Sequence, residues 1–443
     1  MIAIPIILQM LIQTLVSLID NFMVAGLGDI KMSGVNVANQ IFFLFTIFSN
    51  TLCQSGGIFM SQFKGACDKE GMQQTFRFKI LILGIFGLLF TLLCFAAPRN
   101  LFAVMVKSNA DADAILDQAV IYSRAVALSW FFAVFSQSIS SSLREIESVK
   151  APLIISTIAT GINTFFNFMF IYGNLGAPRL EVAGAAYATV IARACELLIF
   201  IIYAGRKKYD FLFEPLKLFK INFALFGKIF KKSAMILYSE LFWAFAETFS
   251  NALFNRRGGA EVVSGMSAGF AVANLFFICF SGIVSASGVI MGQELGKGNL
   301  EQARKYKNWI ISGSTIFGFI FTLLGLLTVF LIPLVFKNLS PQAQIIARNL
   351  VITAALYLPL WAYLNAQYSI SRSGGDTTMG LICDTVANIL FIGGMIALFY
   401  LTNLGPVAMY AIVKLSDFAK CTIAHFWLKK EKWLVNLAVE NKA

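Results

Sequence analysis

Residues Ile229–Phe254 read IFKKSAMILYSELFWAFAETFSNALF. Beyond Lys232 the segment is apolar for about the 20 residues a bilayer-spanning helix needs. It nevertheless carries Glu240 and Glu247. These two are seven apart, so they share one helix face. Asn251 and Asn255 continue that face, while the opposite faces are Phe, Leu and Ala. A polar stripe at membrane depth must face protein or water. A charge there costs about 3 kcal/mol unless it finds a partner or a wet cavity. The stripe therefore reads either as ion-handling machinery or as a buried hydrogen-bond network.

Similar apolar runs fill the chain. Hydrophobic residues make up 58% of the 443 residues and charged ones 13%. A soluble domain averages about 45–50% and about 25%, so the composition is that of a polytopic membrane protein. Spans are expected at 2–26, 36–60, 78–98, 119–142, 152–173, 182–204, 229–254, 264–291, 307–335, 347–370, 378–401 and 406–427. The first begins without a basic n-region or an A-x-A cleavage site, so it reads as a span rather than a signal peptide. Pro5 and Pro359 fall inside spans, where proline can kink a helix.

The net charge of +12 lies mainly in the loops. That pattern points to topology rather than nucleic-acid binding. Loops after even-numbered spans hold most of the Lys and Arg, so both termini should be cytoplasmic. The largest basic block, Arg206 through Lys232, should lie on the same side. It halves the chain into lobes at 1–205 and 229–443, joined by a cytoplasmic connection at 206–228.

The halves resemble one another. Ser61-Gln62-Phe63-Lys64-Gly65 matches Gly292-Gln293-Glu294-Leu295-Gly296 at an offset of 231 residues. Ser142-Leu143-Arg144 matches Ile370-Ser371-Arg372 at 228. A pair of six-helix repeats is a recurrent transporter plan, with the binding site near the midplane.

Other intramembrane polar residues extend the list of candidates. Asp20 lies in the first span, followed by Asn21. Asn163 and Asn167 are four apart in the fifth, as are Asp384 and Asn388 in the eleventh. Arg193 and Glu196, three apart, should pair with each other. Lys414 and Lys420 should snorkel or bond neighbouring helices. Asp376 follows Gly374-Gly375 and reads as a turn residue or a site residue. Six of the seven Cys fall in apolar runs and the lone His425 cannot build a metal centre.

Several segments together resemble the multidrug and toxic compound extrusion (MATE) family over essentially the whole chain. Pro5 with Val16 through Gly28 (VSLIDNFMVAGLG) is similar to the first helix of that family. Val182 through Thr189 (VAGAAYAT) resembles the opening of the sixth. Gly292-Gln293 to Gly296 with Glu301 and Ala303-Arg304 resembles the eighth-to-ninth loop, and Arg372 through Thr377 (RSGGDT) the end of the tenth helix. Lys414 through Trp433 resembles a bacterial branch of the family. The first half departs from the pattern where Glu147-Ser148 replaces Gly375-Asp376.

The resemblance implies an all-α protein of twelve transmembrane helices in two lobes related by a pseudo-two-fold repeat. It implies an antiporter that exports organic cations in exchange for Na+ or H+ by alternating access. Asp20, Glu240 and Asp376 then match carboxylates of the family, with Glu247 and Asp384 as further candidates for cation coupling. Asn163, Asn167, Asn251, Asn255 and Asn388 would line the cavity. No basic residue adjoins Glu240 in sequence, which makes it the leading expectation for a titrating carboxylate. The expected partners are a cationic small molecule and the lipid bilayer of the cell membrane. A monomer is expected, with no cofactor beyond the coupling ion and no nucleic acid.

Other classes fare less well. A lipid-linked-oligosaccharide flippase, with an anionic pyrophosphate substrate, would favour Arg and Lys in the cavity, whereas the mid-span ionisable residues are mostly acidic. No Walker loop and no nucleophile–base constellation occurs, so ATP-driven transport and catalysis lack support.

Overall fold

At membrane depth each backbone N–H and C=O must be bonded within its own segment, so the apolar runs fold as helices. The computed structural model describes residues 3–106, 111–337 and 339–440. Its helices are α1 (Ala3–Ala25), α2 (Asp29–Gly65), α3 (Lys69–Ala96), α4 (Pro98–Val106), α5 (Ala112–Glu145), α6 (Lys150–Tyr172), α7 (Glu181–Lys207), α8 (Phe223–Arg257), α9 (Ala260–Gly296), α10 (Leu300–Thr328), α11 (Ile332–Val335), α12 (Pro341–Ser373), α13 (Thr378–Leu401), α14 (Pro406–Val413), α15 (Ser416–Lys429) and α16 (Leu437–Glu440). Among the described residues there is no β-strand.

Among the described residues, ten helices are long and apolar enough to cross a membrane. The two other expected spans, α8 and the α14–α15 pair, depart from that pattern for visible reasons. Helix α8 is 35 residues long but diluted by its polar stripe. The last span breaks at Lys414-Leu415. Several helices also overrun the apolar stretches. Helix α2 runs for 37 residues, because a helix can continue into water once its apolar part has crossed. The short α4 was not expected from the sequence.

The chain divides into two compact units, Met1–Phe230 and Lys231–Ala443. In the first, α5 is the hub, packing against α2, α3 and α7, while α6 joins α7 and α1. Phe42 on α2 meets Trp130 on α5 with ring centroids 4.7 Å apart. The segment after α7 is pinned to α3. Gln73 donates to the Leu212 carbonyl at 2.8 Å and Gln74 to that of Lys220 at 3.0 Å. Phe211 is fully buried, edge-on to Phe76.

In the second unit α12 is the hub, packed on α9, α10 and α15. It runs unbroken through Pro359. Proline lacks the N–H that would bond the carbonyl four residues back, at Ala355. Thr322 Oγ1 on α10 donates to that carbonyl at 2.9 Å. Close approach is possible there because Gly318 faces Pro359; a Cβ at Gly318 would lie 2.7 Å from the Pro359 Cα.

The repeat is visible in the turns. At the α2–α3 junction Cys67 has φ 53°, and Asp68 caps α3 by accepting from Gly71 N at 3.0 Å. At the α9–α10 junction, 231 residues on, Gly298 has φ 76° and Asn299 caps α10 from Gln302 N at 3.3 Å. The second turn repeats likewise. Glu147 N bonds Arg144 O at 3.0 Å and Ser148 N bonds Leu143 O at 2.8 Å. Gly375 N bonds Arg372 O at 2.8 Å and Asp376 N bonds Ser371 O at 3.0 Å. Glu147 and Gly375 both lie at positive φ, 67° and 76°. So the Glu147-Ser148 departure from the repeat changes the residue but keeps the turn.

A non-glycine residue held in the left-handed region costs about 1–2 kcal/mol. Glu147 and Cys67 are exposed, so little packing offsets that cost. Glu147→Gly and Cys67→Gly should each stabilise the detergent-solubilised protein by about 0.5–1 kcal/mol, since glycine also loses more entropy on folding. Thermal unfolding checks this. An unchanged or lower Tm for both variants would show that these turns do not govern stability.

Candidate functional site

In the first unit the polar residues of α1, α6 and α7 converge. Asn167 Nδ2 donates to Asp20 Oδ1 at 2.6 Å. Asn163, one turn earlier on α6, faces the same carboxylate. With its amide nitrogen toward the acid, it donates to Asp20 Oδ2 at 3.0 Å, whereas the opposite orientation would set oxygen against oxygen. Asp20 therefore sits in a cradle of neutral amide donors, and among the described residues it forms no salt bridge. Further along α1, Gln9 Nε2 donates to Ser156 Oγ at 3.0 Å. Ser156 donates in turn to Glu196 Oε1 at 3.0 Å, and Arg193 bonds Glu196 Oε2 at 2.7 Å. The expected Arg193–Glu196 pair is thus present.

In the second unit every candidate carboxylate of α8 and α13 has a cationic partner. The expectation that Glu240 lacks a nearby basic residue is corrected here. Arg372 at the end of α12 approaches Glu240 Oε1 at 3.5 Å. The two are 132 residues apart in sequence, so only helix packing brings them together. Glu240 is also the most open of these acids, its side chain 38% exposed. Lys414 reaches Glu247 Oε1 at 2.7 Å from the break between α14 and α15. Its ammonium also lies 4.7 Å from the Phe391 ring centroid. Asp384 accepts from Tyr368 Oη at 2.9 Å and pairs with Lys420 at 3.2 Å. Asp417 lies 3.8 Å from Lys420 and accepts from Trp361 Nε1 at 2.7 Å. Glu240, Glu247, Asp384 and Asp417 thus stand against Arg372, Lys414 and Lys420, leaving one excess negative charge.

The remaining candidates divide. Asp376 does not join this network. It accepts from Trp427 Nε1 at 2.7 Å and sits in the turn after α12. Asn388 is buried on α13 with its amide nitrogen unbonded. Asn251 is exposed, and the side chain of Asn255 lies outside the described residues.

A third cluster, in the first unit, was not expected. Lys79 on α3 is fully buried and donates to Glu145 Oε2 at 2.5 Å and to Ser141 Oγ at 3.0 Å. Gly56 and Gly57 on α2 make room for it. A Cβ at Gly57 would fall 2.3 Å from Glu145 Oε1, and one at Gly56 2.7 Å from Lys79 Cε. The signal in sequence was the pair of adjacent glycines inside an apolar helix. Asp417 and Tyr368 were likewise missed, because nothing in their local sequence marks their partners.

Comparison with known proteins agrees with this architecture. The MatE family model matches residues 5–169 and 236–408. The chain belongs to the MatE family. A probable multidrug resistance protein, NorM, of Neisseria meningitidis serogroup B is 23% identical over 367 residues, 81% of this chain and 77% of that one. The multidrug resistance protein NorM of Vibrio vulnificus strain YJ016 is 25% identical over 68% of this chain and 65% of its own length. Among solved structures, an outward-facing multidrug resistance MATE family transporter of the MOP superfamily superposes with TM-score 0.84 at 20% identity, covering 97% of this chain and 94% of that one. A MOP superfamily transporter from Pyrococcus furiosus, described as having a binding pocket of reverse polarity, gives 0.81 at 21% over the same shares. The chain is therefore a multi-pass membrane protein with the fold of these transporters.

Removing one partner of a buried ion pair costs about 3–5 kcal/mol, whereas replacing both with apolar residues can be nearly neutral. Lys79→Met should destabilise the protein by that amount in detergent unfolding. Lys79→Met combined with Glu145→Leu should recover most of the loss. A double variant no better than the single one would show that the cluster is not a coupled pair.

Proposed function

We propose that this chain is a secondary antiporter. It exports organic cations from the cell in exchange for H+ or Na+, and Asp20 is the principal site for the coupling ion. The observation that carries this reading is the contrast in partners. Glu240, Glu247 and Asp384 are each already paired with Arg or Lys, whereas Asp20 bonds only the neutral amides of Asn163 and Asn167, and the nearby Arg193 is itself bonded to Glu196. An intramembrane acid outside any ion pair is open to a mobile positive charge. A proton satisfies it directly. Na+ suits it equally well, since hard cations prefer oxygen ligands and the carboxylate with the turned amides supplies only oxygens.

The second unit supports a complementary role. Glu240 is the most accessible acid there, and its contact with Arg372 is the longest of the three pairs. A lipophilic cation can compete with Arg372 for it, and the Tyr368 ring, 5.6 Å from the Arg372 guanidinium, supplies cation–π surface. Exchange then requires that ion binding at Asp20 and substrate binding at Glu240 favour opposite-facing states of the transporter. The names of the NorM relatives, which are multidrug resistance proteins, agree with a broad cationic substrate class. A flippase for an anionic pyrophosphate substrate needs a cationic excess, and Arg372, Lys414 and Lys420 leave none once their carboxylates are counted. The protein would act as a monomer in the cell membrane with both termini cytoplasmic.

Efflux of a fluorescent organic cation from proteoliposomes, under an imposed pH or Na+ gradient, tests the assignment. Asp20→Asn should fold and insert normally but lose gradient-driven export at least tenfold. Glu240→Gln should keep its gradient dependence and raise the KM for the cation. Wild-type gradient-driven export by Asp20→Asn would overturn the ion-site assignment.

The orientation is tested separately. In a Cys67→Ser background, a cysteine introduced at Lys217 should resist a membrane-impermeant thiol reagent added to intact cells. It should react once the cells are opened. Labelling from outside would reverse the topology.

A further inference from the structure

A cavity of about 220 Å³ lies at one end of the first unit, apart from the residues proposed for transport. It is lined by Lys64, Lys207, Lys208, Tyr209, Asp210 and Phe211, together with Met72 and Ile146. Lys64 is in the last turn of α2 and Lys207 closes α7, while Met72 lies in the first turns of α3. The cavity therefore sits three to six residues beyond the expected spans, which end near 60 and 204 and begin near 78, at the level of the lipid headgroups.

Its charge is one-sided. Asp210, the one carboxylate among the lining residues, is already paired with Lys69 at 3.4 Å. Lys64, Lys207 and Lys208 form no salt bridge among the described residues. Its wall is fixed rather than loose. Lys208 takes the left-handed conformation, φ 51°, with its N–H on the Ala204 carbonyl at 3.0 Å. Tyr209 is held through its hydroxyl by Ser148 at 3.0 Å and Tyr203 at 3.2 Å, and its ring stacks on Phe211 at 5.7 Å.

The segment that follows has the composition of an interfacial anchor. Leu216 is 97% exposed and Phe219 77% exposed, and between and after them stand Lys217, paired with Glu214 at 3.1 Å, and Lys220. Such fully exposed apolar side chains, interleaved with lysine, dip into the headgroup and acyl boundary of an anionic membrane. Basic pockets at this level between membrane helices recognise phosphate-bearing lipid headgroups.

We infer that the Lys64–Lys207–Lys208 cavity binds the phosphate of an anionic phospholipid, with Leu216 and Phe219 seated in the adjoining leaflet. The shared chemistry is a phosphate monoanion among three ammonium groups. The lipid source is favoured over a free phosphate because the neighbouring apolar side chains need acyl chains to cover them.

The test is titration of a short-chain, water-soluble phosphatidylglycerol onto the detergent-solubilised full chain, read by thermophoresis. Short-chain phosphatidylcholine and inorganic phosphate form the comparison arms. Each lysine near such a site contributes about 1 kcal/mol, or about fivefold in affinity. Lys64→Gln, Lys207→Gln and Lys208→Gln combined should therefore weaken phosphatidylglycerol binding on the order of a hundredfold. The same charge loss placed elsewhere, as Lys305→Gln, Lys337→Gln and Lys430→Gln, should leave it within about twofold. If the triple cavity variant does not fold, Lys64→Gln alone is read, with a fivefold loss expected. Wild-type phosphatidylglycerol affinity in the folded cavity variant would overturn the site. Inorganic phosphate binding as tightly as the lipid would overturn the lipid assignment. Failure of the transport assignment at Asp20 would leave both outcomes unchanged, since no residue is shared.

Discussion

The constraint on which the rest of the structure depends is the cost of a charge inside a bilayer. Each ionisable group at depth must be neutralised, solvated or mobile. In the second unit neutralisation is local, as lysines and an arginine from α12, the α14–α15 break and α15 meet carboxylates on α8, α13 and α15. In the first unit Lys79 and Glu145 neutralise each other in the core. Asp20 alone among the candidate carboxylates within the spans is held by amides rather than in an ion pair, Asp376 lying in the turn after α12. The division of labour follows. Paired groups can hold shape or be opened by a competing cation, while the unpaired one can carry an ion.

How legible this was depended on the range of each interaction. The fold class, the spans and the repeat rest on local patterns, and the sequence displayed them. Asn163 and Asn167 were legible as a polar pair because a four-residue spacing is a property of one helix. Their convergence on Asp20, some 147 residues earlier, is a property of how α6 packs on α1. The Glu240–Arg372 and Glu247–Lys414 pairs were hidden for the same reason. Lys414 was recognisable as a lysine inside a span, but its partner was not, because the break that aims it lies in the packed structure. The Lys79–Glu145 pair was hidden more deeply. Both residues stand near predicted span ends, where a charge ordinarily meets water, and only the close approach of α2 at Gly56-Gly57 shows that they are buried.

The two copies of the repeat also show how conformation outlasts residue identity. Cys67 and Gly298 occupy one left-handed turn position, and Glu147 and Gly375 another. The hydrogen-bond patterns match pair by pair although the residues do not. The Glu147-Ser148 irregularity therefore lies in side-chain chemistry, and the backbone plan of the two halves is common to both.

Proline in the middle of a long helix usually marks a place where the helix can flex. At Pro359 that freedom is latched from outside. The carbonyl of Ala355, which the proline leaves without its helical partner, is held by the hydroxyl of Thr322. Bending α12 there pulls the carbonyl away from α10 and strands a polar group in an apolar layer. The backbone thus meets an energetic stop that belongs to a different helix. Motion of α12 at this level must either break that bond or carry α10 with it, so flexing has a cost set by a neighbouring helix.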